Sequence, residues 1–237
     1  MTVRVQIRRA IRAGEREFVL DVAFESSHRR IALFGPSGSG KTLTVQAIAG
    51  LMRPDNGCIV LNDRTLFDSS SGICLAPQAR RVAYLFQDYG LFPHLTVAQN
   101  VCFGLAKGWR NPRRDVLPEA ACHWMEAFEL GAVAHHYPHQ ISGGQKQRAA
   151  LARALAVQPE ALLLDEPFAA LDAALRRKLR AEMAALQRRL DIPMILITHD
   201  PEDVRNLAEE VYMIREGRIV GSAAPHEMVA ADFSEHH

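Results

Sequence analysis

Gly35-Pro-Ser-Gly-Ser-Gly-Lys-Thr42 decides the fold, because its residue types answer to the geometry of a bound polyphosphate. The stretch fits the pattern G-x-x-x-x-G-K-[ST]. Gly35, Gly38 and Gly40 permit backbone conformations and close approaches that a side chain would block, so successive N–H groups can turn inward around phosphate oxygens. Pro36, Ser37 and Ser39 complete the loop, Lys41 reaches the β and γ phosphates, and Thr42 offers a hydroxyl to Mg²⁺. A short apolar run, Arg30-Ile-Ala-Leu-Phe34, precedes the loop as a strand, and Leu43-Thr-Val-Gln-Ala-Ile-Ala-Gly50 follows as a helix whose positive end faces the anion. Strand, loop and helix in that order make this a nucleotide site.

Composition sets the limits around it. With 237 residues, 48% hydrophobic and 23% charged, the chain can bury a full core as one large domain or two small ones. A formal net charge of +1 gives no support to a nucleic-acid partner. No run of 18 apolar residues is present, so any work at a membrane is expected to go through docking to another chain. Arg4, Arg8, Arg9 and Arg12 suggest a transit peptide, but Val3, Val5 and Ile7 alternate with polar neighbours and Glu15 and Glu17 follow, which is the pattern of an edge strand. Cys58, Cys74, Cys102 and Cys122 form no C-x-x-C pair and read as free thiols in a reducing compartment.

Outward from the loop, residues 3–7 and 18–24 read as strands joined at Ala13-Gly14, and residues 59–61 and 81–86 add two more around a polar loop at 68–72. These four strands predict a small antiparallel sheet packed against a parallel core, an α/β plan. Gln87 stands where a strand gives way to a loop, so its amide oxygen is placed to ligate Mg²⁺ or the attacking water; the plainer reading is a surface glutamine. Leu91, Phe92 and Pro93 are apolar for a loop and imply either a covering partner or a local packing cluster. Residues 97–139 take a helical pattern punctuated by Asn111-Pro-Arg-Arg114 and Gly131, with Trp124 and Phe128 on one face, and read as an insertion into the core. His135, His136 and His139 cluster on a Pro-containing loop that is a poor metal scaffold.

Ile141-Ser-Gly-Gly-Gln145 then opens a second strong helix, with Ser142 as N-cap and Gly143 and Gly144 leaving first-turn N–H groups uncovered. A single nucleotide does not need two anion-facing helix ends. Ala161-Leu-Leu-Leu-Asp165 is a buried strand ending in a carboxylate, so Asp165 is placed to hold Mg²⁺ through water and Glu166 to polarise an attacking water. Asp172 caps a helix over residues 173–190, whose Leu175, Leu179, Met183, Leu186 and Leu190 form a core stripe. Arg176, Arg177, Arg180, Arg188 and Arg189 on that helix read as a solvated face. Met194-Ile-Leu-Ile-Thr-His199 is a further buried strand; a lone histidine at its end is more often structural, but placement beside the inferred acids makes His199 a candidate γ-phosphate contact. Residues 211–214 and 218–220 close the chain as a hairpin around Glu216-Gly217; the tail from Asp232 is uninformative.

Gly35 to Thr42, Gln87, Ile141 to Gln145, Asp165-Glu166, Ala170-Leu-Asp172 and His199, in this order, resemble the ATP-binding subunits of ABC transporters over nearly the whole chain. The resemblance implies a P-loop NTPase fold with a parallel-sheet core, an antiparallel β subdomain and an α-helical subdomain. It divides the single domain, residues 1–237, into a RecA-like core with the β subdomain (1–87 and 156–237) and a helical subdomain carrying the signature (88–155). It implies ATP and Mg²⁺ as cofactors, with Thr42, Gln87 and Asp165 toward the metal, Glu166 as general base or water-positioning residue, Asp172 as the D-loop acid and His199 as the switch histidine. The second anion-facing helix end is then accounted for by two subunits packed head to tail, with Ser142, Gly143, Gly144 and Gln145 of one closing over the ATP of the other. The partners implied are a second copy or a homologous ATPase, transmembrane permease subunits near Leu91, Phe92 and Pro93 and, indirectly, a substrate-binding protein, at the cytoplasmic face of the membrane.

Within the family, residues 62–77, Arg80-Arg81 and 86–94 are most similar to molybdate importers, with sulfate importers as near relatives. Ile141 stands where leucine is usual and Ala169 where the D-loop often has serine; no Tyr or Trp occupies the expected adenine-stacking position before residue 35, for which Phe18 is a candidate. Molybdate importers commonly carry a C-terminal oxyanion-binding domain, and 237 residues are expected to be too few to include one. A DNA-repair or translation ATPase of the same superfamily would need a coiled-coil insertion or tandem halves. A P-loop kinase would have no use for residues 142–145.

Overall fold

The computed structural model describes residues 2–14, 16–106, 111–113, 117–169, 171–190 and 192–227; Glu15, Arg114, Ala170 and the tail from Asp232 lie outside the described residues. Strands β1 (Val3–Ala13), β2 (Arg16–Ser26), β3 (Arg30–Phe34), β4 (Asn56–Leu61), β5 (Arg64–Asp68), β6 (Ile73–Cys74), β7 (Val82–Leu85), β8 (Ala161–Asp165), β9 (Met194–Thr198), β10 (Glu210–Arg215) and β11 (Arg218–Ala223) form one sheet. The helices are α1 (Lys41–Ala49), α2 (Val97–Cys102), α3 (Glu119–Ala127), α4 (Gly143–Ala156), α5 (Ala173–Leu190) and α6 (Pro201–Leu207), with short 3₁₀ turns between them.

Strand order is β6-β5-β4-β1-β2-β11-β10-β3-β9-β8-β7. The antiparallel and parallel portions are therefore one continuous 11-stranded sheet, where separate sheets were expected from sequence. The seam is the β10–β11 hairpin: β11 pairs parallel with β2 through Arg218 and Asp21, while β10 pairs parallel with β3. Its turn is set by Glu216 and Gly217, both with positive φ. A Cβ on Gly217 would lie 2.2 Å from the Val19 carbonyl oxygen, so only glycine lets the turn lie against β2.

The four strands β3, β9, β8 and β7 are parallel neighbours, and both β8 and β9 are buried along their whole length. That is why they read as unbroken apolar runs. Along β8, Leu162 and Leu164 enter the core beneath α2 to α5, whereas Ala161 and Leu163 enter a second core shared with α1 and β1, β2 and β4. Burial on both faces leaves the carboxyl ends of these strands as the place where loops can carry chemistry.

Elsewhere the outline departs from the sequence pattern. Arg64–Asp68 is a strand whose Leu66 and Phe67 are buried, although its end lies in a Ser/Gly-rich stretch that reads as loop. Among the described residues of 97–139, α-helix covers Val97–Cys102 and Glu119–Ala127, with 3₁₀ turns elsewhere, because Pro and Gly interrupt the period; Trp124 and Phe128 are both buried. Arg180 is not on a solvated face. It is 6% exposed and donates to Asp203 at 2.7 Å and Asp200 at 2.8 Å, acids supplied by α6 and its cap.

Candidate nucleotide site

Each glycine of the loop after β3 has its own reason. A Cβ on Gly35 would lie 2.1 Å from the Ile214 carbonyl oxygen, so β10 excludes any side chain there. Gly38 has open space but φ 78°, and Gly40 has φ 106° with Leu20 Cδ1 2.8 Å from a would-be Cβ. The left-handed turn at Gly40 aims the start of α1 at the loop's interior. Gly217 donates its N–H to the Ser39 carbonyl at 2.8 Å, tying the loop to the β10–β11 turn.

Lys41 is 4% exposed, and its Nζ donates to the carbonyls of Gly35 at 2.8 Å and Pro36 at 2.7 Å. Two of three ammonium donors thus hold the amine over the loop, and one is left for an anion. Burial lowers the Lys41 pKa, opposed by the charges of Glu166 and Asp165. The Ser39 hydroxyl is buried with no hydrogen-bond partner among the described residues, a polar atom in the cradle that a phosphate oxygen would satisfy.

At the end of β8, Asp165 accepts from the Thr42 hydroxyl through Oδ1 at 3.2 Å and from the Tyr84 hydroxyl through Oδ2 at 2.7 Å. Burial raises the Asp165 pKa, against the lowering effect of those two donors and of Lys41. Glu166 follows with φ 45°, a left-handed conformation uncommon for a non-glycine residue, and its N–H donates to the Ile197 carbonyl at 3.0 Å. Its carboxylate Oε1 lies 3.2 Å from His199 Nδ1 at the end of β9; His199 is 58% exposed and Glu166 17%.

Parallel register explains how residues so distant in sequence meet. Phe34 faces Thr198, Asp165 faces Ile197 and Leu85 faces Leu164, so the loops after β3, β9, β8 and β7 leave the sheet side by side. One cavity is lined by Ser37, Gly38, Gly40, Lys41, Thr42, Gln87 and Glu166. An adjoining open cleft shares Ser37 and Gly38 with it and runs past Gly35, Pro36, Ser39 and His199 to Phe18, Arg215, Glu216 and Arg218. Gln87, Thr42, Asp165, Glu166 and His199 thus converge on the glycine loop.

Residues 142–145 and Asp172 line neither cavity. Ser142 and Gln145 form a reciprocal cap: Ser142 Oγ accepts from the Gln145 N–H at 3.3 Å, and the Ser142 N–H donates to Gln145 Oε1 at 2.9 Å. One of the first-turn N–H groups is therefore covered, while the Ser142 hydroxyl keeps its proton to donate. A Cβ on Gly144 would lie 3.3 Å from Leu175, so α4 lies close against α5. Asp172 caps α5, accepting from the N–H groups of Ala174 and Leu175 at 3.1 and 3.0 Å.

A family model described as ABC transporter matches residues 20–169. The chain belongs to that family. It is an ABC transporter ATP-binding domain. The molybdenum import ATP-binding protein ModC of Rhodospirillum rubrum is 41% identical over 211 residues, 89% of this chain and 56% of the relative. The sulfate/thiosulfate import ATP-binding protein CysA of Caulobacter vibrioides is 44% identical over 200 residues, 84% and 57% respectively. The ABC domain described here thus spans a little over half the length of these relatives. Among solved structures, the dimeric ATP-binding cassette MJ0796 bound to ADP and Pi superposes with TM-score 0.76 and 26% identity over 96% of this chain and 100% of that one. The fold is accordingly a P-loop NTPase fold.

Two elements of this ABC domain's site escape the motif reading. Tyr84 carries a hydroxyl into an otherwise aliphatic strand, which by itself signals a buried acceptor. Thr198, Asp200, Asp203 and Arg180 form the support under His199: Thr198 Oγ1 donates to Asp203 at 2.7 Å and accepts from the Asp200 N–H at 3.0 Å.

Proposed function

We propose that this domain binds and hydrolyses ATP as part of an ABC importer for an inorganic oxyanion, molybdate in preference to sulfate. The observation that carries the reading is the meeting of Lys41, Thr42, Gln87, Asp165, Glu166 and His199 at the carboxyl ends of four adjacent parallel strands. Functionally the chain divides into a nucleotide-binding core (1–87 and 156–237) and a helical portion (88–155). It works as a head-to-tail pair with a second copy or a homologue, at the cytoplasmic face of the membrane, beneath separate permease subunits served by a substrate-binding protein. Among the described residues no helix is long and apolar enough to cross a membrane. Nucleic acid has no place in this proposal.

In this reading the backbone of residues 35–42 cradles the β and γ phosphates and Lys41 adds a direct charge contact. Thr42 Oγ1 and Asp165 Oδ1, 3.2 Å apart, are hard oxygens beside that cradle and fit Mg²⁺, with the Gln87 amide oxygen as a further ligand. Mg²⁺ held by these oxygens would supply positive charge against the charge developing on the transferred phosphoryl group. Glu166 orients the attacking water and receives its proton as the water oxygen bonds to the γ phosphorus and the bond to ADP breaks. His199 donates a hydrogen bond to the γ phosphate. Phe18, half-buried on the cleft beyond Gly40, lies against the base. Ser142 and the N–H groups of Gly143, Gly144 and Gln145 close over the partner's γ phosphate, and Asp172 acts at the same interface.

The test is ATP turnover of the purified transporter. Glu166→Gln is expected to retain ATP and lose turnover by at least 100-fold, a loss within the range of removing a general base; turnover equal to the parent overturns the assignment. The sulfate reading is kept because relatives named for sulfate import match this chain as well as those named for molybdenum. ATP-driven uptake of labelled molybdate and sulfate by the reconstituted complex separates the two.

A further inference from the structure

Tyr84 lies one residue from the end of β7 and points its hydroxyl across to β8, where it donates to Asp165 Oδ2 at 2.7 Å. Its ring is packed at 4.3 Å centroid separation against Phe86 and its backbone is in register with Leu163. The phenol is the donor in this pair, because an ionised carboxylate can only accept. The two oxygens of Asp165 are thereby divided: Oδ2 is held by Tyr84, and Oδ1 faces the Thr42 hydroxyl.

We propose that Tyr84 is a positioning residue for the metal, fixing the Asp165 carboxylate by its Oδ2 so that Oδ1 is presented beside Thr42. A carboxylate has a free torsion about its last carbon–carbon bond, and a buried one with a single hydrogen-bond partner can rotate the second oxygen away. Pinning one oxygen through a rigid ring, itself clamped by Phe86 and β8, removes that freedom before the ion arrives. Pre-organisation of this kind is what outer-shell partners give metal ligands, and their loss typically costs 10–100-fold in affinity or activity. Asp165 keeps its own ligand role without Tyr84, so a smaller loss is expected here.

The inference rests on the proposed Mg²⁺ site, and the experiment separates the two. Mn²⁺ is titrated into the full chain saturated with a non-hydrolysable ATP analogue, with bound and free Mn²⁺ counted by electron paramagnetic resonance. Analogue affinity is measured in parallel in EDTA. Tyr84→Phe, which removes one oxygen and leaves the ring packing, is expected to weaken Mn²⁺ binding about five-fold, roughly 1 kcal/mol, with analogue affinity in EDTA unchanged. Mn²⁺ affinity within two-fold of the parent overturns the positioning role, as does an equal fall in metal-free analogue affinity, which would mark a general disturbance of the loop. Asp165→Asn is the reference and is expected to lose Mn²⁺ by more than 50-fold. Parent-like Mn²⁺ binding in that variant would overturn the metal site itself, whereas loss in Asp165→Asn without loss in Tyr84→Phe overturns the Tyr84 inference alone.

Discussion

His199 Nδ1 sits 3.2 Å from Glu166 Oε1, although the histidine is 58% exposed and the two residues follow different strands, β9 and β8. An exposed imidazole gains little from such a contact in water, so its value lies in placement: with Nδ1 turned toward the carboxylate, Nε2 is the nitrogen left to face the proposed nucleotide. His199→Ala is expected to reduce ATP turnover at least 100-fold while leaving the melting temperature within about 2 °C and ATP affinity within a few-fold. A His199→Ala chain that melts far below the parent would show that the pair is structural.

Arg180 is the second support of that loop. The guanidinium bridges Asp200 and Asp203, and Asp203 in turn holds Thr198, the residue before His199. Burial raises the Asp203 pKa, opposed by Thr198 and Arg180. Arg180→Met therefore leaves a buried carboxylate uncompensated, at a cost of roughly 3–5 kcal/mol near pH 7.5. The sign of the pH dependence follows from the raised folded-state pKa: protonated Asp203 is tolerated, so stability is present at low pH and is lost as pH rises through that pKa. Urea unfolding of Arg180→Met should show a deficit that is largest at pH 7.5 and shrinks at pH 5.

The contrast between these two sites marks how far sequence reaches. Gly35 to Thr42, Asp165-Glu166 and His199 are legible because each ends a strand whose apolar run announces its burial, and a parallel sheet puts such ends together. Asp172 and Ser142 are legible as caps, since cap chemistry is local. Arg180 is not, because its partners Asp200 and Asp203 lie 20 and 23 residues away and reach it only through the packing of α6 on α5. Periodicity placed it beside truly exposed Arg177 and Arg188, and nothing in a helical stripe separates a buried ion pair from a wet one. The continuous sheet was hidden for a similar reason. Its seam is a single parallel bridge between Arg218 and Asp21, too small to leave a pattern.

Arg80 tests a different coupling, between the loop's helix and the core. It is 1% exposed and donates to the Ala47 carbonyl at 2.6 Å, Ile48 at 2.9 Å and Leu75 at 2.9 Å, so a buried cation terminates α1. Gly50 leaves room for it: a Cβ there would lie 2.6 Å from Arg80 Nε, at a residue with φ 82°. Gly50→Ala is expected to destabilise by about 1–3 kcal/mol through both the left-handed strain and displacement of the guanidinium. Arg80→Ala, which orphans buried carbonyls, should cost at least as much. If Gly50→Ala unfolds at the parent's denaturant midpoint, the clash is absorbed elsewhere.

Ser142 separates local cap chemistry from action on a partner's nucleotide. Its hydroxyl accepts the Gln145 N–H and is left with a proton to give, which is what a γ phosphate arriving from a second subunit would need. Ser142→Ala loses the cap and the donor together, about 1 kcal/mol of stability along with turnover. Ser142→Asp keeps the cap, because aspartate serves that position as well as serine, but replaces a donor with a negative charge facing a phosphate. The expected result is parent-like thermal stability and parent-like ATP binding at residues 35–42 with turnover abolished. Equal loss of binding and turnover in Ser142→Asp would contradict a site shared between two chains, since the serine would then serve the nucleotide held by its own loop.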